Sequence, residues 1–243
     1  MEKNEYGLVR TKLMNKDIPK ILWLYLPITV AILPYLARLI GAHTDRFIYG
    51  EMGLIENFTV LFLLIAILFC ILLLKSSKNP RITRPTMLNY WILLYLLGCV
   101  YYLGEEISWG QHYFGWVTPE SWSLVNDQQE TNIHNTSAIF DQIPRAILST
   151  AALLGGVLVP FINWIKNKKF NPSSINYWIW PTYICIPSAL LSLLVSWFEK
   201  SFEILNIEMP LFLNIRAGET KECLLALFIM MYVLSMWYRN QKH

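Results

Sequence analysis

An all-α bundle that crosses a membrane about six times is the fold the sequence predicts, and three observations carry it. Of its 243 residues 55% are hydrophobic and only 15% charged, against roughly a quarter charged in an average soluble domain. Mean hydropathy is +0.38 with 10 Trp, 13 Tyr and 12 Phe, more apolar surface than a soluble fold of this size can cover. Six apolar runs approach the ~20 residues a helix needs to cross the hydrocarbon core. The net charge of +3, with its basic residues dispersed, argues against a nucleic-acid partner.

The spans read as 21–40, 57–74, 87–107, 146–165, 177–198 and 221–237. The first follows a polar, basic N-terminal stretch (Lys3, Arg10, Lys12, Lys16, Lys20) and has no small-residue cleavage site after it, so it reads as a retained span. Pro27, Pro34, Pro160, Pro181 and Pro187 fall inside spans and predict kinks, which a bundle tolerates when neighbours re-satisfy the freed carbonyls. Cys70, Cys99, Cys185 and Cys223 lie singly within apolar runs, as small buried side chains and not as a disulfide or thiolate framework. No repeat or linker divides the chain, so residues 1–243 are expected to form one membrane domain.

Orientation follows from the basic residues, because translocating Lys and Arg is disfavoured. The N-terminal stretch, the 2–3 link (Lys75, Lys78, Arg81, Arg84), the 4–5 link (Lys166, Lys168, Lys169) and the C-terminal tail (Arg239, Lys242) all fall on one side of a six-span topology. The opposite segments hold few basic residues (Arg46, Arg145, Lys200, Arg216) and almost all the acids. Both termini are therefore expected in the cytoplasm. The longest connection, 108–144, lies outside; Thr118, Pro119 and Glu120 signal a short helix start within it, and Trp109, Trp116 and Trp122 suit the headgroup level.

With this topology the polar clusters converge on the outer face. They are Asp45, Arg46, Glu51 and Glu56; Glu105, Glu106, Ser108, Gln111 and His112; Asn126, Gln128, Glu130, Asn132, His134, Asn135 and Asp141; and Arg216, Glu219 and Glu222. The adjacent Glu105 and Glu106 are the sharpest anomaly, since acids within reach of hydrocarbon are costly and usually face the bundle interior. On a continuous helix Glu105, Ser108 and His112 share a face, with Glu106 about 100° away. Glu105 and His112 would stand about 10.5 Å apart, too far to share an ion unless the helix breaks near Gly110. Ser108 and His112 have the one-turn spacing of a nucleophile and its base.

Glu130 and His134 form an ExxxH spacing that, on a helix, places carboxylate and imidazole one turn apart. Such a pair can hold a divalent metal such as zinc, or act as a base with its orienting acid. Further ligands would come from His112, from Glu105 and Glu106, or from Glu219 and Glu222, which otherwise read as acids stabilised by the start of a helix dipole. Arg216 is a candidate clamp for an anionic group, with Asn126, Gln128, Asn132 and Asn135 as substrate-binding amides. Arg38 can snorkel to the interface or pair with an acid, and His43 and His243 read as structural or solvated.

The run GEEISWGQHYFGW at 104–116, followed by NDQQETNIHN at 126–135, resembles a group of uncharacterised bacterial multi-pass inner-membrane proteins in which a GEEISWGQ segment precedes an N, Q, E, N, H, N series. Glu51, Gly53 and Glu56 at the entry to span 2 look similar too. The resemblance implies a bacterial inner-membrane setting and carries no activity. A looser similarity is to the membrane hydrolase superfamily that includes alkaline ceramidases, which embed acids and histidines among their spans. That family closes with a pair of histidines, where span 6 here offers Glu219 and Glu222.

Three functions stay open on the residues alone. The first is a metal-assisted hydrolase or transferase acting on a lipid or lipid-linked substrate at the outer leaflet, with His112, His134, Glu219 and Glu222 as ligands and Glu105, Glu106, Ser108 and Glu130 as acid, base or nucleophile. The second is a non-enzymatic sensor or assembly component whose polar cap is a folded plug. The third is a proton- or cation-coupled transporter, which uses intramembrane acids beside kinked helices.

Overall fold

The computed structural model describes residues 18–41, 44–49, 52–76, 85–126, 128–168, 170–171 and 173–241. Lys3, Arg10, Lys12, Lys16, His43, Glu51, Lys78, Arg81, Arg84, Lys169, Lys242 and His243, with the side chains of Asp45 and Arg46, lie outside the described residues. Within them the chain is helical, without strands, and six helical segments are long and apolar enough to cross a membrane: Ile21–Ile40, Phe47–Ser76, Met87–Glu106, Ala138–Ile165, Ile175–Ile204 and Leu211–Asn240. That is the architecture of a multi-pass membrane protein.

The helices are α1 (Leu26–Ile40, entered through π-helical Ile21–Tyr25), α2 (Asp45–Tyr49), α3 (Leu54–Ser76), α4 (Met87–Glu106), α5 (Gln111–Phe114), α6 (Glu120–Ser123), α7 (Ala138–Ala151), α8 (Val159–Ile165, joined to α7 by π-helical Ala152–Leu158), α9 (Ile175–Ile179), α10 (Ile186–Ile204) and α11 (Ala217–Asn240). α11 is the axis of the bundle: 18 of its 24 residues are buried, and it packs against α3 and α10, while α4 packs on α3 and reaches α11 through Trp91 and Tyr102. On α3 the buried Thr59, Phe62, Leu63, Ala66, Cys70 and Leu73 recur at intervals of three and four, the period of one helix face. All four cysteines are buried and unpaired.

Spans 2, 4, 5 and 6 extend past the expected boundaries, and spans 4 and 5 bear on the site's surroundings. Span 4 begins at Ala138, not 146: Asp141 and Arg145, one turn apart and 3.0 Å from each other, support its polar start, and the helix accommodates Pro144 in its interior. Span 5 is not continuous. Trp180 is extended (φ −75°, ψ 127°), as a residue before proline prefers, and the helix resumes only after a 3₁₀ turn at Tyr183–Cys185. The carbonyls freed by this break are taken up from α11: Tyr232 donates its hydroxyl to Ile179 O at 2.6 Å, and Arg239 donates to Tyr177 O and Trp180 O.

Candidate functional site

The polar residues at the end of α4 meet because the helix stops abruptly. Ser108, Trp109 and Gly110 have φ of 46°, 55° and 108°, three consecutive residues in the left-handed region that only glycine adopts freely. The reversal lays the Trp109 ring over Gly104, where an added Cβ would stand 2.9 Å from three ring carbons, and lets Trp109 Nε1 donate to Glu105 Oε1 at 2.8 Å. Gly104→Ala should therefore lower thermal stability by roughly 1–2 kcal/mol, crowding outweighing the gain in helix propensity. An unchanged melting temperature would show that Trp109 moves aside freely.

Past the break, two histidine–carboxylate groups form, and neither is the one-turn pair that the ExxxH spacing predicts. The stretch after Glu130 is not helical until a single 3₁₀ turn at His134–Thr136. His112 Nδ1 lies 3.1 Å from Glu56 Oε1, and its Nε2 lies 3.1 Å from Glu130 Oε1 and 3.0 Å from Ser108 Oγ. Ser108, fully buried, donates its hydroxyl to Glu130 Oε2 at 2.8 Å and accepts from Asn132 Nδ2 at 3.1 Å. Hydrogen bonds to Glu130 and then Glu56 push the His112 imidazole up to about 10 against the opposing effect of burial. At neutral pH it is an imidazolium held between two carboxylates. Burial alone would raise Glu130, but hydrogen bonds from His112 and Ser108 prevail and hold it below the usual carboxylate range.

His134 belongs to the other group. Its Nδ1 stands 3.2 Å from Glu105 Oε2, and the same oxygen accepts the backbone N–H groups of Ile133 and His134, each at 2.8 Å. Glu105, 5% exposed, is thus the anchor of the connecting loop. The loop's amides serve its own course: Asn126 Oδ1 accepts from Gln128 N and Glu130 N while its Nδ2 donates to Asn132 O and Oδ1. Asn135 Nδ2 donates to Gln128 Oε1 and Glu130 Oε2. Asn126, Gln128, Asn132 and Asn135, expected to bind substrate, are engaged within the protein.

No family model, curated protein or solved structure matches the chain. The reading rests on the geometry.

The expected ligand set divides among separate partners. His112 goes to Glu56 and Glu130 and His134 to Glu105; Glu222 goes to Arg145 Nε at 2.7 Å, and Glu219 to Arg216 Nη1 at 3.3 Å. Among the described residues no three His, Cys, Asp or Glu side chains gather as a metal site requires. Glu106, adjacent in sequence to Glu105, faces Glu222, Glu56 and Arg145 instead of the loop. Arg216 also reaches Tyr49 O at 3.4 Å and lies over the Tyr49 ring, and Arg38 donates to Asn214 O at 2.7 Å.

Sequence reasoning placed Glu56 in the outer polar cluster and gave it no role. It does serve the helix start, accepting Met52 N at 2.7 Å. Its other oxygen makes it the residue that orients His112.

Proposed function

We propose that this protein is an interfacial hydrolase or acyltransferase, acting on an ester of a lipid or lipid-linked substrate, held here in a closed state. The observation that carries the reading is the strained backbone at Ser108. A non-glycine residue at positive φ costs on the order of 1–3 kcal/mol and persists where its surroundings over-determine it, a condition concentrated at reactive sites. Here the strain puts Ser108 Oγ 3.0 Å from His112 Nε2 while Glu56 holds Nδ1 at 3.1 Å, the serine–histidine–carboxylate order of a nucleophile, its base and the base's orienting acid. Glu130 is the gate. While it sits on Nε2 the imidazole keeps its proton and cannot take one from Ser108. Withdrawal of the loop carries Glu130 away, His112 becomes a neutral base, and Ser108 Oγ can attack the ester carbonyl, its proton passing to Nε2 and on to the leaving alcohol. Water or an acceptor alcohol then releases the acyl group. With basic links and termini cytoplasmic, the site serves the outer leaflet of a bacterial inner membrane.

A second reading, a closed polar cap without chemistry, is favoured by one observation: the Ser108 hydroxyl is fully buried and donates to Glu130. A lipophilic fluorophosphonate, which reacts only with activated serines, separates the two. Labelling at Ser108 is expected in wild-type membranes, absent in Ser108→Ala, at least tenfold slower in Glu56→Gln, and faster in Glu130→Gln. Labelling that fails in both wild type and Glu130→Gln leaves the cap.

A further inference from the structure

The opposite end of the bundle holds a second polar feature that the catalytic reading does not use. Glu222 and Arg239 are 17 residues apart on α11, about 25 Å along the helix. Around Arg239, where span 5 is broken, Trp23, Phe161, Trp164, Tyr177, Trp180 and Tyr183 help to line a cavity of about 390 Å³. Three of the cavity's lining residues bring buried polar atoms with no hydrogen-bond partner among the described residues: Trp23 Nε1, Thr182 Oγ1 and Tyr183 Oη. Buried polar groups are ordinarily satisfied, so three orphans on residues that line one cavity call for an explanation.

Arg239 adds charge to the same wall. It is 2% exposed, and its bonds go to neutral acceptors: Ser235 O, Ser235 Oγ, Tyr177 O and Trp180 O, with the guanidinium 5.6 Å from the Tyr177 ring centre. Three carbonyls and one hydroxyl take up four of its five N–H groups, but they do not compensate a buried positive charge. No carboxylate among the described residues pairs with it.

We infer that this cavity binds the anionic headgroup of an amphiphile, a phosphate ester, with the orphan donors and Arg239 on its oxygens. An indole N–H can only donate and the two hydroxyls can donate, so the missing ligand is acceptor-rich; a guanidinium that meets no carboxylate among the described residues makes it an anion. The volume lies near the lower end of small-ligand sites, room for a headgroup and not for its chains. Phe161 and Trp164, 48% and 62% exposed on the bundle's outside, give those chains an apolar path. Exposed Lys166 and Lys168 follow at the end of α8, and would draw anionic lipid toward the cavity mouth.

The test uses the full chain in detergent and native mass spectrometry with phosphatidylglycerol, phosphatidylcholine or inorganic phosphate. Phosphatidylglycerol is expected to bind at least tenfold tighter than phosphatidylcholine. The double variant Thr182→Val/Tyr183→Phe should weaken it about tenfold or more, with an unchanged melting temperature because neither hydroxyl has a partner among the described residues. Arg239→Gln should abolish the preference. Binding of inorganic phosphate as tight as that of the lipid would support the same anion site with free phosphate as its ligand. Equal binding of the two lipids without phosphate binding, or full phosphatidylglycerol affinity in the double variant, overturns the inference.

Discussion

Glu105→Ala is expected to release the loop at 126–137 while leaving the six spans assembled. One carboxylate oxygen receives the N–H groups of Ile133 and His134 at 2.8 Å and faces the His134 ring; the other receives Trp109 Nε1. Hydrogen bonds to a charged acceptor contribute about 1.5–3 kcal/mol each. Ile133 and His134 are only partly buried, so water recovers some of this, and a net loss of about 3 kcal/mol is the reasonable figure. Hydrogen exchange reads it locally: the amides of Ile133 and His134 should exchange roughly a hundredfold faster in the variant. Glu105→Gln should not rescue, because its amide group would set a donor against either Trp109 Nε1 or the two backbone N–H groups. Glu106→Ala is the control, since Glu106 faces Glu222 and Arg145, and loop exchange should stay at the wild-type rate. Equal effects from the two neighbours would mean that the anchor has been misassigned.

That contrast marks how far the sequence could be read. The spans were legible because membrane insertion depends on length and hydropathy, which are local; the 100° between Glu105 and Glu106 was legible because helix geometry separates neighbours. The break after Glu106 was half legible. Gly110 was the expected breaking point, but the turn runs through Ser108 and Trp109, and nothing in their side chains announces a positive φ. The partners of the histidines were not legible. ExxxH implied a pair one turn apart, whereas Glu130 pairs 18 residues back to His112 and His134 pairs 29 residues back to Glu105. Those pairings depend on the loop's course, which Asn126 shapes by holding the N–H groups of Gln128 and Glu130. Side-chain bonds to a loop backbone leave no periodic trace.

His112→Ala should be about as damaging as Glu105→Ala. It leaves Glu56 and Glu130, with side chains 22% and 14% exposed, facing a void with no cation between them. Removing one partner of a buried ion pair costs about 3–5 kcal/mol, and the residual exposure lowers this to roughly 2–4 kcal/mol. Adding Glu130→Gln should recover part of the loss, a non-additivity on the order of 1–2 kcal/mol.

The pH dependence has a definite sign. A histidine raised from about 6.5 in the unfolded chain to about 10 in the fold contributes fully below pH ~6.5. Its contribution declines above that and is gone once pH has passed 10. Glu130, held below its ordinary value, contributes above the unfolded carboxylate range of about 4.3 and loses that contribution as pH falls through its lower folded value. Closure of the loop should thus be firmest between roughly pH 5 and 6.5 and should loosen steadily toward pH 10. His112→Gln should abolish the alkaline slope and shrink the acidic limb, because His112 is the chief group that holds Glu130 low; an alkaline slope that survives in that variant would assign the titration to another group. Under the proposed hydrolase or acyltransferase function the same proton links closure to chemistry, because loss of the imidazolium would both release Glu130 and create the base that Ser108 needs. Fluorophosphonate labelling of Ser108 should accordingly rise as loop protection falls, over one titration and not two.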